Sequence, residues 1–230
     1  MNHNVWNDFI GLFFPNTCLT CSKPLVVSEK FICLDCFMSL PVVPRTECGE
    51  SDLIERFALF PEVIIARSFL VFRSNGPVQQ LIHAFKYQGN QQLAVHLGKL
   101  IFTENPAFFH ERQWDGIIPV PLHRSKFRKR GYNQSEMLAA GFSEVSGIPV
   151  LTDQVVRVKK TRSQTGKSRS ERWQSMQNIY RLSAHFSGQG QRLILIDDVV
   201  TTGATISGLI EALLAGGVSE IGVVCLASED

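Results

Sequence analysis

The spacing of apolar residues changes several times along this chain, and the changes outline its elements. Val63–Phe72 is a nearly continuous apolar run rich in β-branched residues, which predicts a buried strand. Val78, Leu81, Ile82 and Phe85 then recur at helical spacing, as do Leu93, Leu97, Leu100 and Ile101. Gly116–Val120 predicts a second strand, a helix follows with Leu138, Phe142 and Val145, and Ile148–Leu151 predicts a further strand. Leu193–Ile196 is the kind of run found in parallel strands covered on both faces. Behind it Ile206, Leu209, Ile210 and Leu213 form a helical stripe, and Ile221–Ala227 predicts the last strand. Strands alternating with helices imply an α/β fold around a largely parallel, doubly wound sheet.

The stretch Leu193–Ile206 carries the strongest chemical signal. Two adjacent carboxylates, Asp197 and Asp198, stand where the strand is expected to emerge. A turn of small and hydroxyl-bearing residues follows: Thr201, Thr202, Gly203, Ala204 and Thr205. Small residues let backbone N–H groups approach an anion, and the helix behind them adds the positive end of its dipole. A phosphate fits the turn, while the two acids can accept hydrogen bonds from hydroxyls one sugar away. The pattern predicts a site for a phosphorylated ribose.

Five of the six cysteines lie before residue 50. Cys18 and Cys21 form one Cys-x-x-Cys pair and Cys33 and Cys36 another, with 11 residues between the pairs. Two such knuckles present four thiolates, which satisfies tetrahedral zinc; an iron–sulfur or redox role is the alternative. The segment has few apolar residues, so its folding is expected to depend on the metal. Cys48 lacks a matching first cysteine, that place being held by Arg45, and reads as a spare ligand or a leftover thiol. Cys225, within an apolar run, reads as a small buried hydrophobe.

Net charge is only +2, but 12 of the 23 Lys and Arg residues fall in two runs. The first contains Arg124, Lys126, Arg128, Lys129 and Arg130, in what reads as a loop beginning Pro121, Leu122 and His123. The second spans Arg157 to Arg172 and includes Arg162 and Arg169 among Ser and Thr residues. Loops beyond the carboxyl ends of parallel strands converge on one site, so both runs are expected to face the phosphate turn. The second suits a segment that closes over a reacting anion, the plainer reading being a solvated charged surface. No run reaches the ~20 apolar residues needed to span a bilayer. The apolar residues 5–14 are interrupted by Asp8 and lack the features of a secretory leader, so they are expected to pack as a helix, in a cytoplasmic protein.

The ordered strand, acid pair and Thr-Thr-Gly-x-Thr turn resemble the phosphoribosyl-pyrophosphate (PRPP) signature of type I phosphoribosyltransferases. Members with purine acceptors often carry a third acid where this chain has Thr201, so nothing here favours a purine. Taken with the cysteine pairs, Lys86-Tyr87-Gln88-Gly89, Ile118–Leu122 and Arg128–Gln134, the order is similar to that of the ComF family, also known as GntX or ComFC-like proteins. The resemblance implies a zinc-ribbon-like module over residues 1–58 and a phosphoribosyltransferase-like domain over 59–230. It implies PRPP with Mg2+ as ligand, the ribose on Asp197 and Asp198, and the 5′-phosphate on Thr201–Thr205. Pro121, Leu122, His123, Arg130, Arg162 and Arg169 would then contact or cover the pyrophosphate. It also implies a part in DNA uptake or the use of external DNA, with DNA-uptake proteins and single-stranded DNA as partners and Phe127 and Tyr132 available to stack bases. The acceptor is unidentified, and a non-catalytic PRPP or nucleotide sensor or a single-strand-binding adaptor is the alternative.

Overall fold

In the computed structural model, which describes residues 16–43, 53–104, 106–158 and 179–229, the apolar runs pair as parallel strands. The described front carries one short helix, α1 (Leu34–Met38), and a 3-10 turn (Ile54–Phe57) precedes strand β1 (Val63–Phe72). Helices α2 (Pro77–Tyr87), α3 (Gln91–Thr103) and α4 (Pro106–His110) lead to β2 (Gly116–Pro119). Next come α5 (Arg124–Arg130), α6 (Gln134–Ser146), and the antiparallel pair β3 (Val155–Arg157) and β4 (Tyr180–Leu182). The chain continues with β5 (Arg192–Val200), α7 (Ala204–Ala215) and β6 (Glu220–Glu229). The main sheet runs β1-β6-β5-β2 and is parallel throughout.

Burial explains why the pattern was readable. Leu193–Ile196 and Ile221–Ala227 are buried throughout, the glycine at 222 being set against the Trp114 ring. On one face α2, α3 and α6 pack a core that includes Phe85, Phe102, Phe109 and Phe142, with the last three rings in mutual contact. On the other, α7 contributes Ile206, Leu209, Ile210 and Leu213, joined by Phe57 of the 3-10 turn. Helices α3 and α6 cross at very short range. A Cβ at Gly98 would sit 2.1 Å from the Leu138 carbonyl oxygen, and one at Gly141 would sit 1.9 Å from that of Val95.

The front segment is fastened to the sheet edge. Val43 N–H donates to the Phe69 carbonyl (3.0 Å), and Val71 N–H donates to the Pro41 carbonyl (2.8 Å). Leu40 enters the main core, with Phe31, Ile32 and Phe37 packed against it. The 3-10 turn packs in the core beneath α7 rather than with the cysteines.

Three local readings change. Arg124–Arg130 is a helix, not a loop: no residue of α5 is buried, so apolar periodicity carries no trace of it. Lys and Arg nonetheless favour helix, and His123 caps its start by accepting from Ser125 N–H. Ile148–Leu151 makes a single parallel bridge, Val150 to Ile117, instead of a full strand. Finally, β5 continues past both acids to Val200, still pairing with β6 through Val199 and Val200. Among the described residues no helix is long and apolar enough to cross a membrane. Residues 5–14, Cys48, Arg162 and Arg169 lie outside the described residues.

Candidate functional site

The carboxyl ends of the parallel strands open onto a cleft of about 430 Å³, where ligands of such sheets bind. Because β5 lies between β6 and β2 and extends beyond the acids, Asp197 and Asp198 sit in the wall of this cleft rather than on a mobile bend. Asp198 is only 5% exposed. One oxygen accepts a hydrogen bond from the Lys86 ammonium at 2.8 Å, and the other, Oδ2, is buried without a partner. Asp197 Oδ1 accepts from Ser135 Oγ (3.0 Å) and from Asp198 N–H (2.8 Å). Burial, reinforced by the charge of Asp198, pushes the Asp197 carboxyl up to about 7; the Asp198 N–H, Lys86 and Ser135 oppose the shift.

The segment Arg130–Gln134 holds this arrangement together. Asn133 is buried, donates to the Val120 carbonyl (3.2 Å), and caps α6 by accepting from Ser135 N–H (3.2 Å). The cap fixes Ser135 where its hydroxyl meets Asp197. Arg130 donates to Gln134 Oε1 (2.8 Å) and lies over the Tyr87 ring, 5.2 Å from its centroid. Lys126 and Arg157 complete the cationic lining. Partial loss of water around its ammonium lowers the Lys126 pKa, and the nearby charges of Arg157, Arg130 and Lys86 lower it further. Such crowding of cations suits a polyanion.

The turn Thr201–Thr205 bounds a second, smaller hollow of about 50 Å³ that also touches Asp197. Gly203 starts α7 with φ +75°, a conformation that glycine adopts without strain. The first-turn N–H groups of α7 lack intrahelical partners and point towards the hollow's end of the helix. Beneath the turn, Arg56 donates to the carbonyls of Thr201 and Glu229, and the Phe57 ring packs against Gly203. The turn is thereby tied to the 3-10 segment and to the end of β6.

The predicted residues therefore divide. Asp197, Asp198, Thr201, Thr205, Pro121, Leu122 and Arg130 line the large cleft, and Thr202, Gly203 and Ala204 line the small hollow. His123 lines neither; it caps α5, with Nδ1 2.9 Å from Ser125 Oγ. Tyr132 is 7% exposed and cannot stack a base, whereas Phe127 is 46% exposed. Arg157, the first residue of the second basic run, lines the cleft as expected. Sequence reasoning assigned no role to Lys86, Ser135 or Arg56; each reaches the site from a distant part of the chain, and of these only Lys86 lay in a noted motif.

The four front cysteines converge as their spacing predicts. Their sulfurs all lie within 4.8 Å of one another, and Cys21 and Cys33 are 3.6 Å apart. A tetrahedron with metal–sulfur bonds of about 2.3 Å has edges of about 3.8 Å, so the set fits one ion. Burial pushes the Cys18 thiol up, but N–H groups of Cys33, Cys21 and Thr20 outweigh it and bring it down to about 6. Burial and the neighbouring thiols raise Cys36. One ready thiolate beside thiols that resist losing their protons is a donor set that a dication would stabilise.

Residues 135–230 match the phosphoribosyl transferase domain. The chain is 28% identical over 229 residues to competence protein F of Haemophilus influenzae, covering 94% of this chain and 98% of that protein. It is likewise 28% identical over 228 residues to the DNA utilization protein YhgH of Escherichia coli K12, with the same coverages. Among solved structures, glutamine PRPP amidotransferase of B. subtilis aligns with a TM-score of 0.40 at 20% identity, over 57% of this chain and 25% of that one. The chain is similar along nearly its whole length to competence and DNA-utilization proteins, and it combines a phosphoribosyl transferase domain on a parallel sheet with a cysteine cluster that fits a zinc-ribbon-like module.

The raised carboxyl of Asp197 makes stability depend on pH. Above about pH 4 the unfolded chain has released this proton, while the folded chain keeps it until about pH 7. The folded state binds more protons in that window, so this group's contribution falls as pH rises through it. Asp197→Asn should therefore gain stability relative to the wild type between about pH 4 and 7 in urea unfolding. A difference that is constant across the window would contradict this origin.

Proposed function

We propose that this competence-protein homologue binds PRPP with Mg2+ through its phosphoribosyl transferase domain and transfers the phosphoribosyl group to an acceptor in the use of external DNA. The observation that carries the reading is the buried, half-used carboxylate of Asp198, set one turn before a glycine-started helix N-terminus. Ribose hydroxyls would donate to Asp197 and Asp198, and Thr201–Thr205 with the first N–H groups of α7 would hold the 5′-phosphate. Pro121, Leu122, Lys126, Arg130 and Arg157 would face the pyrophosphate; Arg162 and Arg169 are proposed to cover it. The bond from C1 to the pyrophosphate oxygen breaks and one from C1 to the acceptor forms. Mg2+ arriving with PRPP would offset pyrophosphate charge, and the acid pair offers it oxygen donors. Hydrogen bonds to charged groups contribute about 1.5–3 kcal/mol, so Asp198→Asn should weaken PRPP binding about ten- to a hundredfold in calorimetry. Unchanged affinity would remove the assignment. Tight binding without pyrophosphate release for any acceptor would make the protein a PRPP sensor.

The front cluster is proposed to hold one structural zinc, since four thiolates close its coordination shell. Such thiolates persist in a reducing compartment, which supports a cytoplasmic location. Metal analysis of protein purified without chelator should give about one zinc per chain, and iron or no metal would refute it.

A contact with single-stranded DNA is supported by α5, where Arg124, Arg128 and Lys129 have no ion-pair partner among the described residues and Phe127 is exposed beside them. Neutralising three or four phosphates gives a log–log salt slope of about −2 to −3. Replacing Arg124, Arg128 and Lys129 with Ala should flatten it. No binding at low salt would confine any role in DNA use to protein partners.

A further inference from the structure

The small hollow at the end of β5 is lined by residues of the turn itself, among them Val200, Thr201, Thr202 and Gly203, and Arg56 is not part of that lining. Arg56 stands behind it. The residue comes from the 3-10 turn that precedes the sheet, 145 residues before Thr201. One guanidinium nitrogen donates to the Thr201 carbonyl and lies 3.4 Å from that of Val200. The other donates to the Glu229 carbonyl. A single cation thus gathers carbonyl oxygens from the ends of β5 and β6.

These contacts fix which way a peptide faces. A trans peptide points its C=O and its N–H to opposite sides. With the Thr201 carbonyl held on Arg56, the N–H of Thr202 is turned away from the guanidinium, to the side where the hollow lies. The N–H groups of Thr202 and Gly203 have no acceptor among the described residues. Pairing of β5 with β6 ends at Val200, and Thr201 and Thr202 are exposed, so no sheet hydrogen bond holds this peptide in place. A flipped peptide would put a carbonyl oxygen into the hollow, where it would repel an anion. Successive N–H groups kept on one side instead form an anion-binding concavity.

We infer that Arg56 is a positioning residue for this hollow: it turns the backbone donors of Thr201–Gly203 towards the 5′-phosphate and keeps its own charge on the far side of them. The inference rests on the PRPP reading above. It makes the phosphate site the joint product of two distant segments, the strand–turn–helix around Gly203 and the 3-10 turn between the cysteine module and β1. Phe57 belongs to the same support, its ring packed against Gly203. Ligands that carry a phosphate on the ribose 5′-oxygen therefore depend on Arg56, and pyrophosphate, which the cations of the large cleft would hold, does not.

The test is calorimetry of the full-length protein with PRPP and Mg2+, together with competition by ribose 5-phosphate and by pyrophosphate. Arg56→Ala should weaken PRPP and ribose 5-phosphate about tenfold and leave pyrophosphate unchanged. Arg56→Lys keeps the charge but cannot span both strand ends, so its loss should be smaller and equally selective. Added millimolar guanidinium should restore part of the affinity lost in Arg56→Ala. Urea unfolding of each variant separates stability from binding, and if Arg56→Ala does not fold the selectivity is read on Arg56→Lys. Unchanged ribose 5-phosphate affinity, or an equal loss for pyrophosphate, would overturn the positioning role and leave PRPP binding standing. Failure of the wild type to bind PRPP would remove the underlying reading and this inference together.

Discussion

The organisation of this molecule follows from placing two carboxylates in a strand that the sheet covers on both sides. β5 has β6 on one edge and β2 on the other, with helices above and below. Its apolar residues make it the centre of the core, and that centrality removes water from the acids that follow. An unpartnered buried carboxylate is costly, so the surroundings supply charge and donors. Lys86 comes from α2, Ser135 from the cap of α6, and an N–H from β5 itself. The remaining free oxygen of Asp198 is what a ligand hydroxyl can use.

Helix α2 links this constraint to the shape of the cleft. Its Val78, Leu81, Ala84 and Phe85 are buried in the core, while Gln79, His83 and Lys86 look onto the cleft. One helix thus positions the ion pair on Asp198 and forms the wall on the β1 side. Arg56 plays a related part below the site, joining the Thr201–Thr205 turn to the end of β6. The cysteine cluster stands apart from this cleft, and its segment reaches the domain through Leu40 and the bridge of Val42 to Leu70.

The parts of the fold that were legible are those in which burial imposes a period. β1, β5, β6 and the stripes of α2, α3 and α7 follow from apolar spacing, and the cysteine knuckles follow from ligand spacing. Helix α5 left no such mark because it buries nothing, and its charges alone suggested a loop. The acids and the phosphate turn could be read because strand, acids, turn and helix are contiguous. Their partners could not: Lys86 lies 112 residues from Asp198, Ser135 lies 62 from Asp197, and Arg56 lies 145 from Thr201. Only the folded chain brings them together. His123 shows the reverse case, a residue suggestive in sequence whose ring is engaged in capping a helix.

If the acid pair is a ribose site, Lys86 must give way to the ligand's hydroxyls. A crystal structure of the protein with PRPP and Mg2+ tests this most directly. The account predicts the 5′-phosphate at Thr201–Thr205, the ribose hydroxyls on Asp197 and Asp198, and the Lys86 ammonium displaced from Asp198. PRPP bound elsewhere, with the Lys86–Asp198 pair intact, would contradict it.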